Sequence, residues 1–297
     1  MSIVMVLPHI CVLNANAHSS PYTVGFPAMT AWLGAAHFLQ REIVQNENMK
    51  LVKCEGVGIV CHDFTMHSYR DREKYVASLI GTSNPLDKKG DRPSFIEEAK
   101  CSLEVSLIIQ ISGLDLMYRN DFINLVNGIL IGRMKIASGD VMKAGKPRLE
   151  NADTESLPRL MGSLMPGYVL VERRKLMVDA LKENPQADAM DVVLDYLKVH
   201  NTCSQADDVV EWSQNRKGMG WIVPISVGYQ AITGFVDSPG QRDTSVPHRF
   251  VESVVTLGEF KMVYRIRKLD DMLWHYHVTA DNELYVCRNE KLIEGDE

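Results

Sequence analysis

Over residues 99–112 every odd position is apolar, and every even position except Ile108 is polar. A period of two over that length predicts a long strand with one buried face and one wet face. Residues 3–13 form a nearly unbroken apolar run, suited to a central strand covered on both faces. Residues 51–61 read as a further strand, with Gly56 and Gly58 suggesting a bulge. Apolar side chains recur at helical spacing over 28–43, where only Gln40 breaks the stripe, and again over 115–131. Residues 134–141 supply a fourth strand that opens into a glycine-bearing basic loop.

The resulting order is strand, helix, strand, strand, helix, strand. That is the ferredoxin-like order shared by RNA-recognition motifs, in which helices cover one sheet face and leave the other free. The expected class is α+β, a ferredoxin-like or RNA-recognition-motif palm over residues 1–150 with an inserted thumb-like or helical region. Residues 62–98 are polar and rich in turn signals, an excursion from the palm with one short helix at 74–80. From residue 151 the character changes. A strand is expected at 167–171, and helices at 173–182 and 190–200. Residues 151–217 read together as a helical insertion. Strand character returns at 221–227, helices are expected at 250–258 and 269–277, and residues 218–297 form a C-terminal region packing back on the palm.

Composition adds limits. The 297 residues are 45% hydrophobic and 24% charged, ordinary for a globular chain with a sizeable core. No apolar run is long enough to span a bilayer. The first residues lack the basic region and small-residue cleavage site of a signal peptide, which predicts a cytoplasmic protein with no membrane partner. Six scattered cysteines contain no CxxC pair and suit reduced, buried thiols. The net charge of -6 argues at first against a nucleic-acid partner, but its distribution changes that argument. Residues 183–211 carry seven acids and one base, enough to account for the whole excess. Elsewhere cations cluster. Arg133, Lys135, Lys143, Lys146 and Arg148 face the single acid Asp140, and Lys261, Arg265, Arg267 and Lys268 face none. Patches of this kind steer a polyanion, although solvated charge on unrelated faces fits the same sequence.

Motifs for catalysis are sparse. The phosphate loop, dinucleotide fingerprint, HExxH and nucleophile elbow are all missing from the sequence. Cys61, His62 and His67 make an incomplete metal corner, and His275 and His277 would diverge on a helix. No metal or cofactor is expected. His18 is the best general base for metal-free RNA cleavage, without a companion to mark a proton-transfer pair. The most distinctive stretch is residues 14–27, NANAHSSPYTVGFP, which joins the first strand to the first helix with short polar side chains, two prolines and Gly25. Two readings stand for it. One is a site for a phosphate-like anion at a helix start, and the other is a turn that satisfies itself through Asx and Ser/Thr bonds.

That opening stretch, with HFLQR, GVGIVCH, SNPLDKKG, EEAKCSLEVSLII, LMPGYVLVERR, GWIVPISVGYQAI, HRFVESVVTLGEF and LDDMLWHYH in order, covers essentially the whole chain. In this the sequence resembles the Cas-five family that provides the second Csy subunit of type I-F CRISPR surveillance complexes. The resemblance implies a non-catalytic RNA-binding subunit. It would pair with the large Csy subunit, grip the 5′ handle of the crRNA beside the backbone Csy subunit, and meet target DNA only through the assembled complex. It also implies a modified RNA-recognition palm with a thumb, supplied by 62–98 or by 151–217. On the matching motifs, Asn14, Asn16, Ser19 and Ser20 are expected to hydrogen-bond the handle. Arg133, Gly139 and Lys143 are expected to contact phosphates, and Tyr229, Arg242 and Arg249 to stack or to touch the backbone. The alternative is a metal-independent CRISPR-repeat RNA endonuclease, since relatives in other subtypes cut.

Overall fold

The apolar run at the start becomes β1 (Ile3–Asn16) in a computed structural model that describes residues 3–80, 86–92, 98–206, 209–241, 243–279 and 281–289. A small hairpin of β2 (His18–Ser20) and β3 (Thr23–Val24) leads into α1 (Met29–Ile43). Then come β4 (Lys53–Met66), β5 (Ser68–Tyr69), β6 (Ser78–Leu79), β7 (Lys100–Ser112) and α2 (Arg119–Gly132). Next are β8 (Lys135–Ile136), β9 (Gly139–Lys143), β10 (Arg148–Asn151), α3 (Leu157–Gly162), β11 (Tyr168–Glu172), α4 (Arg174–Glu183) and α5 (Ala189–Leu197). The chain continues with β12 (His200–Ala206), β13 (Val209–Asn215), β14 (Trp221–Ala231), β15 (Val251–Met262), β16 (His275–Val278) and β17 (Leu284–Arg288).

One large antiparallel sheet organises these elements, in the order β16-β17-β14-β15-β11-β4-β7-β1-β9-β8. β10 also pairs with β1, sharing with β9 the edge opposite β7. The architecture is therefore mixed α and β, a long curled sheet with helices laid on it. No described helix is long and apolar enough to cross a membrane.

The apolar face of β7 does what its alternation predicts. Cys101, Leu103, Val105, Leu107, Ile109 and Ile111 are buried in one core with Trp32 and Leu39 of α1 and Phe122 and Val126 of α2. The other face departs from expectation, because it is not left free. Val4, Val6, Val60 and Ile108 form a second core there with Leu157, Leu160 and Met161 around α3, and with Val263 to Leu273. Leaving such side chains in water would forfeit about 1.5–3 kcal/mol each, which outweighs any gain from a wet face at the middle of the sheet. A third, smaller core joins α4 and α5 to Ile222 and Leu257.

Three helix expectations are corrected. Residues 251–258 lie in β15, whose Val251, Val254, Val255 and Thr256 suit a strand and pair with β14, while the strand's later residues, from Gly258, also pair with β11. Residues 269–277 contain one short 3-10 turn, Leu269–Asp271, and then enter β16. His275 and His277 therefore share a strand face instead of diverging on a helix. Of the helix expected at 74–80, residues 78–79 instead pair as β6 with β5.

Trp274 ties the C-terminal region to the first strands. Its indole N–H donates to the Leu170 carbonyl at 2.9 Å, and its backbone exchanges two hydrogen bonds with Val57. It is fully buried.

Candidate nucleic-acid interface

The opening stretch forms the β2–β3 hairpin, which pairs outside the main sheet and packs against β14. β1 bulges twice on the way, between Leu7 and Ile10 and between Val12 and Ala15, with His9 and Asn14 at φ 49° and 58°. Beyond the second bulge the backbone is anchored by three bonds, Asn16 N–H to Ala137 O, Ala17 N–H to Ala99 O, and Gly25 N–H to Ala17 O. The hairpin spends most of its polar side chains on itself. The Asn16 amide brackets His18, accepting from its N–H at 3.1 Å and donating to its carbonyl at 3.2 Å. Ser19 and Ser20 both hydrogen-bond the Thr23 hydroxyl, and Ser20, which is buried, also accepts from the Tyr22 N–H. Of the four residues expected to bond RNA here, Asn14 is exposed, Asn16 and Ser19 are half-buried and internally bonded, and Ser20 is sealed in the turn. Tyr22, at 60% exposed, stands at the hairpin tip.

Beside this hairpin lies a cleft of about 390 Å³ that the sequence did not announce. Ser19 and Thr23 edge one side, five aromatic rings form much of the wall, and Val24, Cys61, Asp63, Val223 and Pro224 lie among them. Phe26 meets Phe260 edge-on at 5.3 Å, Trp221 tilts against Phe260 at 5.2 Å, and Tyr168 meets Trp221 edge-on at 5.4 Å. Phe64 stands 6.2 Å from Phe26, which itself stacks on the buried Trp32. No Lys or Arg is among the lining residues. The five rings come from five separate parts of the chain, so neither spacing nor periodicity groups them.

The basic cluster is smaller than it reads. Arg133, at the end of α2, pairs with Glu42 of α1. Lys135 pairs with Asp140 at 2.6 Å, and Arg148 with Glu150 at 3.1 Å. Lys143 and Lys146 remain exposed without an ion-pair partner among the described residues. Lys143 lies on β9 opposite Cys11 of β1, whereas Asp140 lies opposite the exposed Leu13. Gly139 is buried, because β9 approaches β1 so closely that a Cβ there would lie 2.7 Å from Val12 and 2.8 Å from the Ala15 backbone.

The later candidates are placed apart from this cluster. Tyr229, on β14, is half-exposed opposite Ser253 and Tyr285. Arg249 donates to the Asn282 carbonyl at 2.7 Å and lies over the Phe235 ring at 4.3 Å. Arg242 lies outside the described residues, as do Asp207 and Asp208 of the acidic stretch.

A histidine pair missed by the sequence reading sits on the second face of the sheet. His62, the extra residue of the β4 bulge between Cys61 and Asp63, stacks on His9 with ring centroids 4.4 Å apart. The Pro166 carbonyl can only accept, so His62 Nδ1 carries the proton in their 2.7 Å bond. Nε2 then accepts from the Ser106 hydroxyl at 2.7 Å. Burial, and to a lesser degree His9, hold the His62 pKa below its ordinary value against the opposing pull of the Pro166 carbonyl and Glu104. Both of its nitrogens are thus engaged. Burial pushes the neighbouring Cys61 thiol up to about 12, and His67 bonds Ser102. Among the described residues no three His, Cys, Asp or Glu side chains are grouped to hold a metal ion.

A family model described as CRISPR-associated protein (Cas_Csy2) matches residues 5–287. The sequence is also 32% identical, over an alignment of 319 residues, to the CRISPR-associated protein Csy2 of Pseudomonas aeruginosa strain UCBPP-PA14. That alignment takes in 98% of this chain and 96% of the relative.

Proposed function

The chain belongs to the Csy2 family and is a subunit of a type I-F CRISPR Csy complex, and from that premise we propose that it is the non-catalytic RNA-binding subunit that grips the 5′ handle of the crRNA together with the large Csy subunit. In this reading β1, α1, β4, β7, α2 and β9 form an RNA-recognition-like palm, with β4, β7, β1 and β9 adjacent in that order. The backbone Csy subunit lies next along the guide, target DNA is met through the guide, and the assembly works in the cytoplasm.

The observation that carries the reading is the opening hairpin. That stretch, one of the two that bear the specific family signature, pairs outside the main sheet and exposes Asn14, His18 and Tyr22. Asn16, Ser19 and Ser20 then act by holding the hairpin rigid, which lowers the ordering cost of binding. RNA is held in this reading and not cut. His18 has no hydrogen-bonded ring partner among the described residues, and both nitrogens of His62 are committed.

The test is retention of a labelled crRNA by the purified complex of this chain with the large subunit. Exchanging Asn14 and Tyr22 for Ala should weaken retention while the two proteins still co-purify, and unchanged retention would refute the reading. Incubation with repeat RNA in chelator checks the nuclease alternative, since cleavage that vanished in His18→Ala would establish it.

A further inference from the structure

We propose that the ring-walled cleft between the β2–β3 hairpin and strands β14 and β15 takes one unstacked nucleobase of the bound RNA, with the indole of Trp221 as its stacking face. The inference rests on the RNA-binding reading and names a contact within it.

The chemistry of the walls selects the occupant. With no Lys or Arg in the lining, and with Asp63 exposed at its edge, the cleft repels a phosphate. His62 adds no cation, because its ring is committed to Pro166 and Ser106. What the cleft offers is ring surface, plus the Ser19 and Thr23 hydroxyls, bonded to each other at 2.8 Å, whose remaining lone pairs can accept from a base edge. A flat, uncharged heterocycle with polar edges matches both features, and every base has a π face. A volume of about 390 Å³ lies within the usual range for small-ligand sites, about 300–1,000 Å³.

Among the rings of the cleft Trp221 is singled out by its exposure. Trp32 and Trp274 are fully buried, whereas Trp221 stays 53% exposed although Phe260 and Tyr168 fix its ring. A large apolar ring held rigid and half in water gains most from a partner laid against it. The cleft also adjoins the hairpin, so a strand tracking past Asn14 and Lys143 has a neutral slot beside its charged path. Phosphates would follow the cations, and one base would turn inward.

The experiment uses the assembled complex with guide RNAs carrying a single abasic site at each position of the constant 5′ segment in turn. One abasic position should weaken retention by between about 5-fold and 150-fold, the range for one stacked base. Trp221→Ala should cause a comparable loss, and the two changes combined should cost no more than the larger one. Trp221→Phe should restore most of the affinity, which separates a stacking role from damage to the fold. Strictly multiplicative losses at every position would overturn the proposal, as would loss of the large subunit on Trp221→Ala with RNA contacts unchanged. If crosslinking places RNA on the hairpin yet no position couples to Trp221, only the base slot fails. If RNA touches this subunit nowhere, the RNA-binding reading fails with it.

Discussion

Ser106 joins His9 to His62. Its hydroxyl oxygen accepts the His9 backbone N–H at 3.0 Å while its proton goes to His62 Nε2 at 2.7 Å. Ser106 is fully buried, so Ser106→Ala strands two polar groups at once. The expected cost is about 1–3 kcal/mol, read by urea unfolding.

The same arrangement sets a pH dependence. His62 is kept neutral in the folded protein, with its pKa lowered from 6.5, so the unfolded chain takes up the proton first as pH falls. Stability is full above about 6.5 and declines as pH drops from there toward the folded value. Unfolding midpoints at pH 7.5 and 5 should therefore differ less in His62→Gln than in the parent chain. An equal or larger difference would show that the ring is not the source.

Gly139 separates a packing role from a phosphate role. Ala137 and Ser138, at φ 48° and 65°, make the tight turn between β8 and β9, and Gly139 follows it directly onto β1. Positive φ at both turn residues is the geometry of a two-residue hairpin loop, usually filled by Asn and Gly. Val12 can give way to a new methyl group, but the Ala15 backbone cannot. Gly139→Ala should cost about 1–3 kcal/mol of stability, with crRNA affinity unchanged for the folded fraction. Loss of affinity at unchanged stability would assign Gly139 to the RNA instead.

What could be read from the sequence follows from how far apart the deciding residues lie. The alternation in β7 and the stripe of α1 are local patterns with one physical cause, burial of one face, and both elements form. The VESVVT segment of β15 carries β-branched residues and also an apolar spacing that fits a helix, so its neighbour β14 decides. Arg133 reads as a free cation until α1 brings Glu42 to it. The aromatic cleft exists only after Phe26, Phe64, Tyr168, Trp221 and Phe260 converge from distant segments. The hairpin was visible as a polar loop, whereas the internal bonding of Asn16, Ser19 and Ser20 fits the self-satisfied turn that the same residues allowed.

Pairing also ranks the cations. Lys143 is free to neutralise a phosphate, while the Arg133 charge is already met by Glu42. Lys143→Glu should weaken crRNA binding and reduce the slope of log affinity against log salt by about 0.7, the value for one contact on a single strand. Arg133→Gln should change that slope less, because the exposed pair it breaks is worth roughly 0–1 kcal/mol and competes with the RNA for the guanidinium. Titrations at four salt concentrations give both slopes, and a larger effect at Arg133 would reverse the ranking.

The hairpin of β12 and β13 is the strongest candidate for a subunit contact. Among the described residues the two strands pair only with each other, from His200 with Asn215 to Ala206 with Val209. A lone two-stranded hairpin is marginal in water, so one that carries Trp212 at 71% exposed invites a covering surface. The acids nearby are less suited to that task. Asp188 and Asp191 close the capping box of α5, and Lys217 holds the Asp195 carboxyl below its usual pKa through a 2.6 Å bond. Trp212→Ser should therefore leave stability within about 0.5 kcal/mol, as for most surface changes. It should weaken association with another Csy subunit by about 2 kcal/mol or more if the indole is an anchor at the contact. Alanine at Asp188 and Asp191 should show the opposite pattern, with lower stability and association little changed. Sedimentation of the reconstituted complex reads association, and thermal unfolding reads stability. An unchanged association constant for Trp212→Ser would leave the hairpin without a role at that contact.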